Sequence, residues 1–319
     1  MQERINVLDS TKALSGDEYT CSIAAYGGSL DLVKYLHENG CPWDKYTCSS
    51  AAFYGSIDIL KYARENGCPW DTKTCEYAAL GGSIDLLKYA HENGCPWDKS
   101  TCEHAAYNDS LVCLKYAREN ALLKEGGGAC PWDEDTCRSA AQNGNLEIFK
   151  YAYMNGCPWN EFTYQAAAKS GSLDLLKYIY ENIVLKEGSK GWDENICSSA
   201  ARYGHLESLK YARDNGCPWN VNDICGNIVW GMRLHGSYIY DLLIIPPMCE
   251  EHRSWNIKVC SESEFSSKLK CLEYCLSNGC LWSELGYAEL VDKKTLGCIK
   301  YALEDILNIS SAKLSETRS

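Results

Sequence analysis

The sequence is poor in the features that mark membrane and nucleic-acid-binding proteins. None of its apolar runs approaches the 18 or more residues of a membrane-spanning helix, and its first residues are charged and lack the apolar stretch of a secretion signal. Lysine and arginine number 31 against 43 aspartates and glutamates and form no cluster, which gives a formal net charge of −12. We therefore expect an intracellular, cytoplasmic protein that binds neither membranes nor nucleic acid.

The sequence also lacks the residue patterns of common catalytic sites. No single Ser or Cys stands out together with a single His and an acid, and the glycines at 126–128 are not part of the GxxxxGK[ST] motif that cradles phosphates. We therefore expect no enzymatic activity and no cofactor.

What the sequence contains instead is a repeat of 27 residues, which the tryptophans reveal. Trp43, Trp70 and Trp97 are 27 residues apart, and nine of the ten tryptophans share this position. A representative unit runs from Asp44 to Trp70, DKYTCSSAAFYGSIDILKYARENGCPW. Close copies begin at Asp17, Asp71, Asp98, Asp133, Asn160 and Asp193, and weaker ones begin at Asn220, Asn256 and Ser283. Units of this kind stack into a solenoid.

Each unit carries the start and stop signals of two short helices. Asp, Asn or Ser opens every unit, as preferred at a helix N-cap, and a first helix of small residues ends near Gly55 in the representative unit. A second N-cap precedes an amphipathic helix that ends at Asn66 and Gly67. The second caps are Ser29, Ser56, Ser83, Ser110, Asn145 and Ser172. Helices this short are marginal alone, so the pairs must stack on one another.

Segments such as AAYGGSLDLVKYLHENG and AALGGSIDLLKYAHENG resemble the Ala-Ala-x-x-Gly-His-x-x-x-Val-x-x-Leu-Leu core of ankyrin repeats. The resemblance implies an all-α, ankyrin-like α-solenoid of about ten helix-turn-helix repeats. Because the family's usual period is about 33 residues, the shorter period here implies that the β-hairpins are shortened or absent. The Cys-Pro-Trp-Asp repeats are similar to those of large DNA viruses and some protists, which implies an intracellular protein, in the host cytoplasm if it is viral.

The strength of the repeat divides the chain into four parts. Residues 1–16 are an N-terminal extension, and 17–219 hold seven well-formed ankyrin-like repeats. Residues 220–306 hold about three degenerate repeats, which form either a C-terminal cap or a second binding site, and 307–319 are a polar tail. Insertions at 121–129 and 183–190 follow second helices and are interpreted as loops.

The 20 cysteines invite a metal hypothesis, but their spacing does not support one. Nineteen recur in repeat positions, and the chain contains no Cys-x-x-Cys pair. We interpret them as reduced thiols that act as small core residues, and we expect no metal site. The alternative is a Cys-rich structural or zinc-binding protein, for which Cys271, Cys275 and Cys280 form the nearest group of ligands.

The recurring tryptophan is interpreted as packing between repeats rather than as an aromatic binding strip. His37 and His91 share their position with Arg64 and Arg118, which indicates an exposed polar position.

Lysine-tyrosine pairs such as Lys34 and Tyr35 could suggest stacking on nucleic acid. Acidic neighbours at Asp31, Asp58 and Asp85 favour a solvated helix face in which the charges neutralise one another.

Positions that vary between units are free to serve a partner, and two of them form a pattern. One follows the double Ala and is aromatic in the first half of the chain, and the other follows the first N-cap. They resemble the positions through which ankyrin repeats contact partners, so we expect a monomer that binds a protein on its concave face. The alternative is that Phe53 and Leu80 pack on adjacent repeats. The candidate site residues are Tyr26, Tyr46, Phe53, Tyr54, Leu80, Tyr107, Asn108, Gln142, Lys169, Arg202 and Tyr203.

Overall fold

The computed structural model of the protein describes residues 18–119, 128–187, 191–232 and 262–280, and every regular element in these ranges is a helix. The chain divides into two compact units, residues 1–159 and 160–319. Within each unit, consecutive helices pair and each first helix packs on the first helix of the neighbouring repeat. The prediction of an all-α solenoid of helical repeats is confirmed. The extension at 1–16, the repeat beginning at Ser283 and the tail at 307–319 lie outside the described residues.

The first unit contains five helix pairs. They are α1 Glu18–Tyr26 with α2 Leu30–Glu38, α3 Lys45–Tyr54 with α4 Ile57–Glu65, α5 Thr72–Leu80 with α6 Ile84–Glu92, α7 Lys99–Tyr107 with α8 Leu111–Glu119, and α9 Glu134–Gln142 with α10 Leu146–Met154. The odd-numbered helices are the first helices of their repeats, and the even-numbered ones are the second. Most of the insertion at 121–129 lies outside the described residues.

The second unit is less regular. It contains α11 Glu161–Ser170, α12 Leu173–Ile179, α13 Glu194–Tyr203, α14 Leu206–Asp214, α15 Ile224–Gly231 and α16 Glu262–Ser277. Helix α12 continues through a π-helical turn, Tyr180–Val184, and a last turn, Leu185–Glu187.

The loop predicted at 183–190 is therefore wrong over its first part. Where other repeats have Asn-Gly, this one has Asn182 and Ile183, so no glycine ends the helix. Ile183 and Val184 are buried, and continuing the helix keeps them packed. Residues 188–190 lie outside the described part of the chain.

The predicted caps account for the regular spacing of the helices. Asp44 Oδ1 accepts a hydrogen bond from the Tyr46 amide at 2.9 Å, and the same contact begins α5, α7, α9, α11 and α13. The second caps form as predicted at five positions, Ser29, Ser56, Ser110, Asn145 and Ser172. Ser83 is the exception, because its side chain makes no capping bond.

Two kinds of side chain fill the core. First helices bury small residues such as Cys48, Ala51 and Ala52, which allow neighbouring first helices to pack closely. Second helices bury larger residues such as Ile59 and Leu60. In the part of the chain that the structure describes, no helix is long and apolar enough to span a bilayer.

Candidate functional site

One sequence position places five of the candidate residues at equivalent points of the first unit. Tyr26, Phe53, Leu80, Tyr107 and Gln142 lie at or next to the last residues of α1, α3, α5, α7 and α9. Because the first helices stack side by side, these residues form one row along the first-helix face. The sequence reasoning therefore selected residues that the fold brings together.

The row contains an aromatic cluster in its first repeats. The rings of Tyr26 and Phe53 stack with their centroids 5.6 Å apart, and Tyr77 meets the other edge of Phe53 at 5.7 Å. Phe53 nevertheless remains 40% exposed and Tyr26 57% exposed. Phe53 therefore packs on adjacent repeats, as the alternative interpretation expects, while part of its ring remains exposed to solvent. Leu80 is only partly exposed.

Tyr54 and Asn108 occupy the next position and rest on the turn of the preceding repeat. A Cβ atom added to Gly28 would lie 1.9 Å from Cε1 of Tyr54, and one added to Gly82 would lie 2.7 Å from Nδ2 of Asn108. Both glycines also have a positive φ, so the backbone conformation and the nearby side chain each favour glycine at these positions. The ring of Tyr54 stays 56% exposed and extends the aromatic surface.

We call Tyr26, Tyr46, Phe53, Tyr54 and Tyr107 the aromatic row. All five are exposed aromatic residues of first helices in the first unit. Sequence reasoning missed Tyr19 and Ile23, which are exposed on α1, and Tyr77, which supports Phe53. The signal for Tyr19 was present, because it occupies the same repeat position as Tyr46.

Ion pairs run along the beginning of the first helices. Lys45 reaches the Asp71 carboxylate at 2.9 Å, and Lys99 reaches Asp133 at 2.6 Å, each in the following repeat. Both lysines on this edge are thus paired with an acid from the following repeat. The charges of Lys45 and Lys99 are therefore balanced locally.

A third ion pair, between Lys73 and Glu76, involves a buried carboxylate. Glu76 is almost fully buried, receives Lys73 Nζ at 2.7 Å and lies 3.7 Å from His104 Nε2. The hydrogen bond to Glu76 raises the pKa of Lys73 above its ordinary value.

The corresponding residues of the second unit are cationic. Lys169 Nζ lies 5.1 Å from the centre of the Tyr203 ring, and the Arg202 guanidinium stacks on Trp230 at 3.4 Å. His205 Nε2 lies 2.9 Å from the Lys169 carbonyl oxygen, and burial lowers the pKa of this imidazole. The structure thus brings the three candidate residues of this unit together in a cluster of different chemistry.

The tryptophans pack between repeats, as predicted. Trp43 is half-buried, stacks on His37 with centroids 3.6 Å apart, and meets Tyr62 of the following repeat edge-on at 6.1 Å. In the next repeat Arg64 covers Trp70 at 3.9 Å and donates to the Cys68 carbonyl oxygen. The position shared by His37 and Arg64 is therefore half-buried, not exposed, because its side chain covers the tryptophan.

The lysine-tyrosine pairs also have a structural role between repeats. Lys34 lies over Tyr62 of the following repeat at 5.4 Å, and Lys61 lies over Tyr89 at 5.7 Å. These lysines thus contact the ring of the next repeat, while Lys210 pairs with Glu207 of its own helix at 3.1 Å, the neutralisation that was expected. Lysine and tyrosine of different repeats hold second helices together.

The cysteines fall in buried positions and are free thiols in the described ranges. Cys68 Sγ donates to the Asp44 carbonyl oxygen at 3.2 Å, which ties the end of a repeat to its beginning. Burial raises the pKa of Cys271 to about 12. No three Cys, His, Asp or Glu side chains among the described residues are placed to hold a metal ion, and this includes Cys271, Cys275 and Cys280.

Comparisons with known proteins give similarity at the level of the fold. No family model matches the chain, and no curated protein matches it. Solved structures that resemble it include the human ASB11 ankyrin repeat domain, at 18% identity and a TM-score of 0.40, over 54% of this chain and 84% of that one. Another is the pentatricopeptide repeat protein PPR10 in complex with an 18-nt psaJ RNA element, at 12% identity and a TM-score of 0.42. It covers 96% of this chain, which spans 46% of that protein. Both neighbours are helical-repeat proteins.

Proposed function

We propose that the protein is a non-enzymatic scaffold that binds a protein partner through the aromatic row of its first unit. The observation that carries this proposal is a contrast within single helices. In α3, Ala51 and Ala52 are fully buried, whereas Phe53 and Tyr54 directly after them remain 40% and 56% exposed. Large rings that the fold does not need to bury are available to a partner.

The chemistry of the row favours a protein over a nucleic acid. Tyrosine and phenylalanine are common anchors of protein interfaces, since they supply a large contact area with few rotatable bonds. The lysines beside them, Lys45 and Lys99, are already paired with Asp71 and Asp133. A phosphate backbone would have to compete with these carboxylates, against a net charge of −12.

The finer parts of the proposal follow from the sequence. We infer an ankyrin-like array of the short Cys-Pro-Trp-Asp type, of viral or protist kind, that acts as a monomeric adaptor in the cytoplasm. The concave surface is the first-helix face in this proposal, because the small residues of first helices allow closer packing than the larger residues of second helices.

The test is affinity capture with the full chain, followed by calorimetric titration of the purified captured protein. We expect Tyr107→Ala and Phe53→Ala to weaken binding at least tenfold each, since removing an interface anchor costs about 2 kcal/mol or more. Val112→Ala is the matched control, because Val112 is exposed on second helix α8 of the same unit. Thermal melts show whether each variant keeps its fold.

Three results would contradict the proposal. The first is a partner that binds both aromatic variants as tightly as the unaltered chain, and the second is a capture that nuclease treatment abolishes. The third is stoichiometric zinc in the purified chain with no protein captured, which would favour the Cys-rich structural alternative.

A further inference from the structure

Two cysteines of a regular repeat lie in contact with each other, one on the first helix and one in the turn before Pro-Trp. On α5, Cys75 Sγ lies 4.0 Å from the Cys95 carbonyl oxygen, and the two thiols hydrogen-bond each other. Cys95 Sγ in turn donates to the Asp71 carbonyl oxygen at 3.2 Å. We call such a contact a thiol pair.

The thiol pair recurs in six of the seven well-formed repeats. In four of the others the first-helix sulfur lies between 3.8 and 4.0 Å from the carbonyl oxygen of the turn cysteine. In the remaining one the thiols of Cys48 and Cys68 hydrogen-bond each other. The pairs are Cys21 with Cys41, Cys48 with Cys68, Cys75 with Cys95, Cys102 with Cys130, Cys137 with Cys157, and Cys197 with Cys217.

The seventh well-formed repeat lacks both members of the pair. Tyr164 takes the first-helix position, and no cysteine precedes Gly191 and Trp192. A Cβ atom added to Gly191 would lie 2.8 Å from Cε2 of Tyr164, so the first-helix side chain meets the turn in this repeat as well. In the well-formed repeats, cysteines therefore occur at the two facing positions together or not at all.

Burial and hydrogen bonding give the two thiols different roles. Cys75 is fully buried, and the hydrogen bond to Cys95, together with burial, raises the pKa of its thiol above the ordinary value. The first-helix thiol is therefore protonated at neutral pH. Turn cysteines lie nearer the surface, since Cys95 is 3% exposed and Cys41 is 5% exposed. A small reagent that enters at the turn meets the turn sulfur first.

We propose that each thiol pair is an oxidation site, which a small disulfide such as oxidised glutathione converts into a disulfide within the repeat. The turn thiolate attacks one sulfur of the reagent and forms a mixed disulfide, and the glutathione thiolate that leaves takes up the proton of the turn thiol. The first-helix sulfur then attacks the turn sulfur and gives its proton to the second departing glutathione. Two protein thiols are oxidised, and one glutathione disulfide is reduced to two glutathione thiols.

The product suits its surroundings. A disulfide is neutral, so it adds no charge to a core in which Cys75 is fully buried. It would join two cysteines that are 20 residues apart in the sequence. Such a cross-link limits the freedom of the unfolded chain, so oxidation stabilises the repeat in which it occurs.

The test is oxidation of the folded, reduced full chain with oxidised glutathione. The remaining thiols are then alkylated, and the peptides are sequenced by mass spectrometry. Cys113 is the matched control, because it is fully buried on α8 of the first unit and its thiol hydrogen-bonds Ser110 rather than a cysteine.

We expect disulfides within the six repeats to form at least about tenfold faster than Cys113 loses its thiol, because only a paired sulfur has a neighbour that resolves the mixed disulfide. The oxidised chain should unfold at a temperature several degrees higher than the reduced chain, and a reductant should reverse this shift.

Two single substitutions separate the roles of the paired sulfurs. In Cys75→Ala the turn sulfur has no neighbour to resolve the first product, so we expect a stable glutathione adduct at Cys95. In Cys95→Ala we expect Cys75 to remain a free thiol, because it is fully buried. The other five pairs should oxidise in both variants as they do in the unaltered chain, and thermal melts of the reduced variants check the fold.

Disulfides that join different repeats or different chains would overturn the proposal. Loss of the Cys113 thiol at the rate of the paired thiols would also overturn it, because oxidation would then follow unfolding of the chain. Equal glutathione adducts at Cys75 and Cys95 in the two variants would contradict the order of attack.

Discussion

The two units use the same repeat position for different chemistry. In the first unit it carries Tyr26, Phe53 and Tyr107, whose rings remain exposed. In the second unit it carries Lys169 and Arg202, which lie over aromatic rings. The double Ala before this position is buried in both units. The comparison shows that the fold requires the two alanines, because they are buried, and that it does not require a particular residue after them.

The units also differ in which residue contacts the turn of the preceding repeat: in the first unit it is the residue after Phe53, and in the second it is the residue at the second N-cap position. In the first unit the Tyr54 ring lies over Gly28, and in the second the His205 imidazole lies over Gly171. Either ring fits because the turn beneath it is a glycine. The glycine thus leaves space for the ring above it and also adopts the left-handed backbone conformation of the turn.

The largest effect is expected where this contact is broken. Gly28→Ala should lower the free energy of unfolding by about 2 kcal/mol, of which about 1 kcal/mol reflects the left-handed backbone and the rest the displaced Tyr54 ring. Gly55→Ala is the control, since it shares the positive φ but has open space around the added Cβ. Urea denaturation measures both, and in a Tyr54→Ala background the two glycine substitutions should cost the same. An unchanged difference in that background would show that the ring is not its cause.

A smaller effect should distinguish the cations of the second unit. Arg202→Ala should lower the free energy of unfolding by about 1 kcal/mol, because the guanidinium stacks on Trp230 at 3.4 Å. Lys169→Ala should cost less, because its ammonium lies 5.1 Å from an exposed ring. Guanidinium denaturation followed by Trp fluorescence tests the order of the two. Equal losses of stability would show that the stacked guanidinium of Arg202 stabilises the fold no more than the ammonium of Lys169 does.

The smallest effect concerns a threonine that precedes the first-helix cysteine. Thr101 is buried in the first unit and its hydroxyl has no hydrogen-bond partner in the described structure. In the second unit Thr163 accepts a bond from the Asn160 amide, and Ile196 occupies the same position without a hydroxyl. Thr101→Val should therefore be neutral or stabilising by up to about 1 kcal/mol, whereas Thr163→Val should be destabilising. Thermal melts of the two variants measure this, and a clear loss of stability in Thr101→Val would contradict the comparison.

Much of the fold could be predicted from the sequence because its signals are local. An N-cap, a glycine turn and an amphipathic face each act within a few residues, so Asp44, Gly55 and Asn66 define their helices without further information. Prediction failed where such a signal was missing. The second-unit helix that reaches Asn182 continues past its expected end because no glycine follows.

The candidate site was only partly predictable. Variation between repeats identified Tyr26, Phe53 and Tyr107, because a position that tolerates change is not required by the core. It could not show that Phe53 packs between Tyr26 and Tyr77, or that His37 covers a tryptophan. Those contacts join residues of different repeats or of a helix and a later turn.

The sequence by itself determined the helix pairs, their caps, their small and large core positions and the position free to vary. Only the tertiary structure decided which side chains at the varying position contact one another and which remain exposed. The physical reason is that caps and turns are local interactions, whereas the exposure of a side chain depends on the neighbouring repeat. Ile23 illustrates the difference: the same repeat position is covered in later repeats and exposed in the first.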